Sequence, residues 1–208
     1  MIHLYLIRHG QSLSNTEEDL IGGRQNDTPL TATGIRQAQL LGDRWKKMGA
    51  HFDKVFVSPA KRTLDTARIS LKAINRSADL EIRDTLQELT HGQWDRQVRS
   101  KIYTPKLLAV INANNWEFTP PGGESQRMVE KRMLSWLQDD IFSLKEGTFA
   151  MFGHGMAIKC LLRGIFGFDS THTYKIVLHN TAITELKFSE RGWHLVSVND
   201  TAHLYGHY

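Results

Sequence analysis

Two histidines in this chain stand where one phosphoryl-transfer site could be built. The first ends an apolar run, Leu6-Ile7-Arg8-His9-Gly10-Gln11-Ser12, and the second follows another, in Gly153-His154-Gly155. An arginine and a histidine released by glycine at the carboxyl end of a strand set a fork of N–H donors beside a nucleophilic imidazole. Imidazole attacks only when neutral. Positive charge from Arg8 and Arg62 would lower the His9 pKa from its unperturbed value of about 6.5, while both arginines offer paired donors to phosphate oxygens. Arg62 falls in the first turn of the helix expected after Ser58-Pro59. A cation there, at the positive end of the helix dipole, is odd unless an anion binds beside it.

The elements that must position these residues are readable from periodicity. Apolar runs at 3–8, 52–57, 80–83 and 148–152 have strand character. Helical stripes lie between them. One runs through Ile35, Ala38, Leu41, Trp45 and Met48 and stops at Gly49, and another runs through Leu64, Ala67, Leu71 and Ile74. A long helix is expected from an N-cap at Ser125 to about Leu144, with Val129, Met133, Trp136, Leu137, Ile141 and Leu144 on its apolar face. Residues 156–166 form a further helix, apolar nearly all round. Residues 181–189 and 193–198 alternate around Glu190-Arg191-Gly192 as an antiparallel hairpin, and 112–123, ending in Pro120-Pro121-Gly122-Gly123, is an excursion loop.

This order predicts a three-layer α/β sandwich, a mostly parallel mixed sheet with helices on both faces. Ligands of such sheets bind beyond the carboxyl ends of the strands, where Arg8-His9, Ser58-Pro59 and Gly153-His154 all emerge. The 208 residues are expected to form one domain, spanning 1–208, with a variable cap at about 92–123.

Composition narrows the class further. With 40% hydrophobic and 23% charged residues the chain is an ordinary globular one, and no stretch approaches the roughly 20 apolar residues of a membrane span. The net charge of +4 is scattered and marks no nucleic-acid-binding face. The start, Met1-Ile2-His3-Leu4-Tyr5-Leu6, lacks the character of a signal peptide, so a cytoplasmic location is expected. The single cysteine, Cys160, reads as a small buried side chain. No P-loop, His-Glu-x-x-His or acidic ligand cluster is present, so neither metal nor cofactor is expected.

The residues resemble the histidine phosphatase superfamily, the phosphoglycerate mutase-like enzymes. The resemblance rests on Leu6-Ile7-Arg8-His9-Gly10, Asn15, Pro29-Leu30-Thr31 with Gly34 and Gln37-Ala38, Ser58-Pro59 with Arg62 and Thr66-Ala67, Leu86-Gln87-Glu88 with Gly92 and Trp94, and Gly153-His154-Gly155. It implies that His9 becomes a phosphohistidine and that a protonated His154 stabilises charge on the transferring group. Asn15 would add a neutral donor in the phosphate pocket, and Gly155 would lie against the phosphate. Glu88 would protonate the leaving oxygen and then act as base on water. An acid in that role must carry a proton when it acts, which burial or the substrate's negative charge would arrange.

Departures from the family pattern bear on substrate. Gln11 and Thr63 replace a common Glu and a small residue, and Gly92-Gln93-Trp94-Asp95-Arg96 brings in a large cation. The family's mutases are usually longer, which favours hydrolysis here. The implied function is metal-independent hydrolysis of a small phosphorylated metabolite. The alternatives are a phosphoglycerate mutase and a catalytically weak phospho-ligand-binding or regulatory protein. Of the cap cations Arg96, Arg99, Lys101 and Lys106, one or two, joined by Arg24, are expected to bind a second anionic group such as a carboxylate or phosphate, the other reading being a solvated face. His91, His172 and His179 read as ordinary polar or packing residues, and the tail from His203 reads as a frayed end or a flap over the site.

Overall fold

The computed structural model describes residues 1–76 and 79–206. In chain order the elements are β1 (Ile2–Arg8), α1 (Leu13–Thr16), α2 (Ala32–Lys47), β2 (Lys54–Val57), α3 (Lys61–Lys72), β3 (Leu80–Ile82), α4 (Arg99–Ile102), α5 (Pro105–Ala113), α6 (Gln126–Trp136), β4 (Gly147–Gly153), α7 (Gly155–Phe166), β5 (Ile183–Ser189) and β6 (Gly192–Asp200). The six strands form one sheet in the order β3-β2-β4-β1-β5-β6. The first four are parallel, and β5 and β6 close one edge antiparallel, giving the expected α/β fold with a mixed sheet.

Alternation along the strands supplies both helical layers. Leu4, Leu6, Phe149 and Met151 face Val129, Met133 and Trp136 of α6 and Ile158 and Leu161 of α7. Ile7, Val55, Val57 and Phe152 face Leu41 and Trp45 of α2 and Ala67 and Leu71 of α3. Truncating a side chain such as Trp136 to alanine at these positions costs about 3–5 kcal/mol. The ends of the expected α2 stripe are different: Ile35 and Met48 point to solvent.

The register fixes the site. Arg8 pairs with Gly153, and Val57 with Phe152, so β1, β4 and β2 end within one residue of each other. Each releases a functional side chain as its next residue: His9, His154 and Ser58. Gly34 lets the loop after β1 sit on the start of α2, because a Cβ there would lie 2.0 Å from the Gln11 carbonyl oxygen.

Two expectations change. The helix from Ser125 is capped as expected, with Ser125 Oγ accepting from the Met128 N–H (3.2 Å), but it loosens into a π turn at Leu137–Ile141 and a 3-10 turn at Phe142–Leu144. The widened turn keeps Leu137 and Ile141 buried. The cap is no plain loop either, since α4 and α5 lie within it and the excursion keeps only its end irregular. Thr104, whose hydroxyl accepts from the Leu107 N–H, and Pro105 in the first turn start α5. The cap leaves and returns at one point: Gln93 N–H donates to the Pro121 carbonyl and Glu124 N–H to that of Thr90, both at 2.9 Å. Gly92 is required there, with φ of +58° and a would-be Cβ 2.3 Å from the Pro121 oxygen.

Candidate active site

His9 is almost fully buried and held from every side. Its backbone N–H donates to the Gly153 carbonyl (3.0 Å), and the next N–H, of Gly10, donates to Thr66 Oγ1 (2.9 Å). In the ring, Nδ1 donates to the Gly10 carbonyl at 2.7 Å, which leaves the Nε2 lone pair as the acceptor. Arg62 Nε donates to that lone pair at 3.3 Å. Burial, then Arg62 and Arg8, hold the His9 pKa well below 6.5. The arginines act in the direction the sequence implied, and desolvation is the larger cause.

His154 is fully buried, with its ring centroid 5.3 Å from that of His9. Arg62 Nη2 lies 3.2 Å from His154 Nδ1, and since a guanidinium only donates, Nδ1 accepts. The ring proton therefore sits on Nε2 and is donated to Ser58 Oγ at 2.8 Å. The expectation of a protonated His154 meets a site built otherwise: burial, Arg62 and the other cations around it keep its pKa well below 6.5. Its geometric task here is to fix Arg62.

Arg62 is anchored further by the carbonyls of Gln25 and Gly23, and Arg8 Nη1 donates to the Leu178 carbonyl at 2.5 Å. Burial lowers the pKa of both arginines and Glu88 opposes this, so the three charges sense one another. Both arginines remain cations. Glu88 spans the first turn of α7. Its carboxylate accepts from the N–H groups of Leu89 (2.8 Å) and of Met156 and Ala157 (both 3.1 Å), the last two being first-turn donors that lack partners within the helix.

These groups open into a cavity of about 750 Å³. Arg8, His9, Asn15, Arg62 and Glu88 line one end, and cap residues including Trp94, Arg99, Tyr103 and Phe118 line the other. His154 lies behind Arg62. His91, read from sequence as an ordinary polar residue, reaches the wall, where burial lowers its pKa.

Three expected ligand residues do not line the cavity. Arg24 is bound to Glu124 (2.6 Å) and to the Glu88 carbonyl (3.1 Å), and Arg96 turns outward to pair with Glu17. Gly155 lies against the Arg8 side chain, where a Cβ would be 3.5 Å from Nε. Arg99 does line the wall, but its guanidinium donates to the carbonyls of Glu18 (3.3 Å) and Leu20 (3.2 Å). Carboxylates and carbonyls distant in sequence claim these cations, which spacing alone does not reveal.

The sequence reading gives Asn180 no role and takes Thr181 only as the first residue of a strand, which in the structure begins at Ile183. Asn180 Nδ2 donates both to the His9 carbonyl (3.0 Å) and to Asn15 Oδ1 (3.2 Å), tying the expected nucleophile to the expected donor. Asn15 Oδ1 also accepts from the Ser12 N–H (3.0 Å), so its oxygen is used and its amide nitrogen remains for a ligand. Thr181 adopts φ of +58°, a strained value for a β-branched residue, and its N–H donates to the Arg8 carbonyl at 3.0 Å. Its hydroxyl lies 2.9 Å from Nε2 of His203, a buried ring whose pKa burial pushes down to about 4. Among the described residues, the tail is thus held at His203 and lines none of the cavity. It packs behind the site, beside Gln37 and Asn180, and the end of the tail call, 207–208, lies outside the described residues. The only sequence signal at Asn180-Thr181 is a polar pair before a strand.

Comparison with known proteins agrees with this geometry. The model of the histidine phosphatase superfamily (branch 1) matches residues 4–201. A probable phosphoglycerate mutase GpmB of Yersinia pestis (strain Pestoides F) is 31% identical over 98% of this chain and 95% of its own. A variant phosphoserine phosphatase of Entamoeba histolytica, solved with phosphoserine, is 26% identical with a TM-score of 0.84, over 98% of this chain and all of that one. A putative alpha-ribazole-5'-P phosphatase of Escherichia coli shares the fold, with a TM-score of 0.79 at 24% identity over 96% and 97% of the two chains. No helix among the described residues is long and apolar enough to cross a membrane. The chain belongs to the histidine phosphatase superfamily and is an enzyme of the histidine phosphatase type.

Proposed function

We propose that the chain hydrolyses a phosphomonoester through a phosphohistidine on His9, without a metal ion. The observation that carries this reading is the His9 ring, whose Nε2 lone pair faces Arg62 while Nδ1 is tied to the Gly10 carbonyl. As the ester binds, Arg62 turns its Nε–H from the Nε2 lone pair to a phosphoryl oxygen, and Nε2 attacks phosphorus while Arg8 and Arg62 hold the phosphoryl oxygens. Little else is needed beyond positioning and charge. Glu88 gives a proton to the departing alkoxide, and the substrate's own negative charge favours that proton's arrival. The resulting carboxylate takes a proton from water, which attacks phosphorus and frees His9. His154 serves the transfer through the arginine it orients, and Asn15 offers its amide N–H groups to the phosphate.

A mutase reading has one specific support: relatives of nearly the same length are called probable phosphoglycerate mutases, so chain length does not divide the two activities. The deciding experiment follows inorganic phosphate release from an aryl phosphate, phosphoserine and 3-phosphoglycerate in excess chelator, for the wild type and His9→Ala. Turnover that survives the chelator and vanishes in His9→Ala supports the proposal. Isomerisation of phosphoglycerate without phosphate release would replace it with the mutase reading, and loss of turnover on chelation would remove its metal-free chemistry.

A further inference from the structure

The far end of the cavity is built from a different kind of residue than the phosphate end. Glu88, placed to protonate the leaving oxygen, holds the backbone N–H groups of Leu89 and Met156, and both residues line the cavity, so apolar side chains adjoin the place where the alcohol portion of a bound ester begins. Beyond them the cap presents an aromatic wall. Trp94 stacks on Phe118 with ring centroids 5.8 Å apart and 29° between planes, and meets Tyr103 edge-on at 6.0 Å. Leu108 and Ile111 of α5 continue the same surface.

The cations near this end are engaged by the protein itself. Glu124 is held by Arg24 and by Arg132, the latter through contacts of 3.0 and 3.1 Å. Arg99 and Asp19 both line the wall and are linked through their backbones only, while the Arg99 guanidinium donates to the Glu18 and Leu20 carbonyls and sits over the Tyr103 ring. Arg96 is paired with Glu17 outside the cavity. Lys101 and Lys106 are exposed and line none of it. Among the described residues, the cations expected to receive a second anion are therefore paired, turned away or bound to carbonyls.

We infer that the preferred substrate is a phosphomonoester of an uncharged alcohol with an aromatic or extended apolar body, which lies on Trp94, Tyr103 and Phe118. A carboxylate resting on the aromatic wall would lose hydration, and Arg99, the cap cation that lines the cavity, is already bound to two carbonyls. An aromatic ring would bury its faces against side chains suited to stacking. This inference rests on the proposed reading of Arg8, His9 and Arg62 as the phosphate end.

The test uses alkyl esters, so that leaving-group acidity stays nearly constant. kcat/KM is measured for ethyl phosphate, 3-phenylpropyl phosphate, the para-carboxylate of the latter, and 3-phosphoglycerate. The phenylpropyl ester should exceed ethyl phosphate by about tenfold or more, and the added carboxylate should cost about tenfold. In Trp94→Ala and Phe118→Ala the phenylpropyl-to-ethyl ratio should fall at least about fivefold. Preference for 3-phosphoglycerate or for the carboxylate ester would overturn the inference while leaving phosphohistidine hydrolysis intact, as would a ratio that both variants leave unchanged. If no ester is turned over, the catalytic reading fails. The preference is then read from equilibrium binding of the same four esters to His9→Ala, where the same order supports the inference and the reverse order overturns it.

Discussion

Arg62 Nε lies 3.3 Å from His9 Nε2, while Nη2 of the same guanidinium lies 3.2 Å from His154 Nδ1. One rigid fork thus spans both imidazoles, with the carbonyls of Gln25 and Gly23 setting its plane. A lysine carries the charge without the fork. Arg62→Lys should lower kcat/KM by about 10²–10³-fold in steady-state kinetics, and a loss below about tenfold would show that charge alone suffices.

The same contact bears on pH. Burial and the two arginines hold the His9 pKa well below 6.5, so the ring stays neutral as pH falls through the ordinary histidine range. On the acid side, kcat/KM corrected for substrate ionisation should show no loss centred near 6.5, only one at lower pH. A limb centred at 6.5 would mean that the free enzyme holds His9 in an ordinary environment.

The proposed mechanism gives Glu88 a proton to deliver besides the N–H groups it holds, and the Gln substitution tests the first. Glu88→Gln keeps one oxygen to accept from the N–H groups at the start of α7, sets an NH2 where the other oxygen accepts, and cannot supply the proton, so the alkyl-to-aryl comparison is what isolates the lost acid. Turnover of an alkyl phosphate should fall by about 10²–10⁴-fold, and that of an aryl phosphate with an acidic leaving group by much less. Equal losses on both would assign Glu88 a structural task alone.

Asn180 is a positioning residue: one amide nitrogen bridges the His9 carbonyl and Asn15 Oδ1. Asn180→Ala should reduce kcat by about tenfold or more with a smaller change in KM, since the nucleophile is misplaced while both arginines remain. Asn180→Asp, which cannot donate to either oxygen, should not rescue it. A parallel rise in KM at constant kcat would instead place Asn180 in substrate binding.

The strands, their carboxyl ends and the convergence of Arg8, His9, Arg62 and His154 were legible in the sequence because each rests on local signals. Apolar alternation marks β1 and β4, and glycines mark where they stop. Arg62 is placed by helical spacing from Ser58-Pro59. The cap helices rest on weaker marks: α4 is a single turn, and α5 has a start signal in Thr104-Pro105 but only a short, partly exposed apolar face. The fates of Arg24 and Arg96 were illegible for another reason. Their partners, Glu124 and Glu17, lie 100 and 79 residues away, and only the folded chain decides which cation is claimed. Asn180 acts on the backbone of His9, a contact that leaves no pattern in side-chain types.

The most direct test of the central claim is a rapid acid-free quench of a single turnover with an ester carrying labelled phosphate, followed by mapping of the label. The expected result is a base-stable, acid-labile phosphoryl group on His9 that forms at least as fast as kcat and is absent from His9→Ala. Labelled phosphate released by the wild type with no label ever on His9, or with label on another residue, would contradict it.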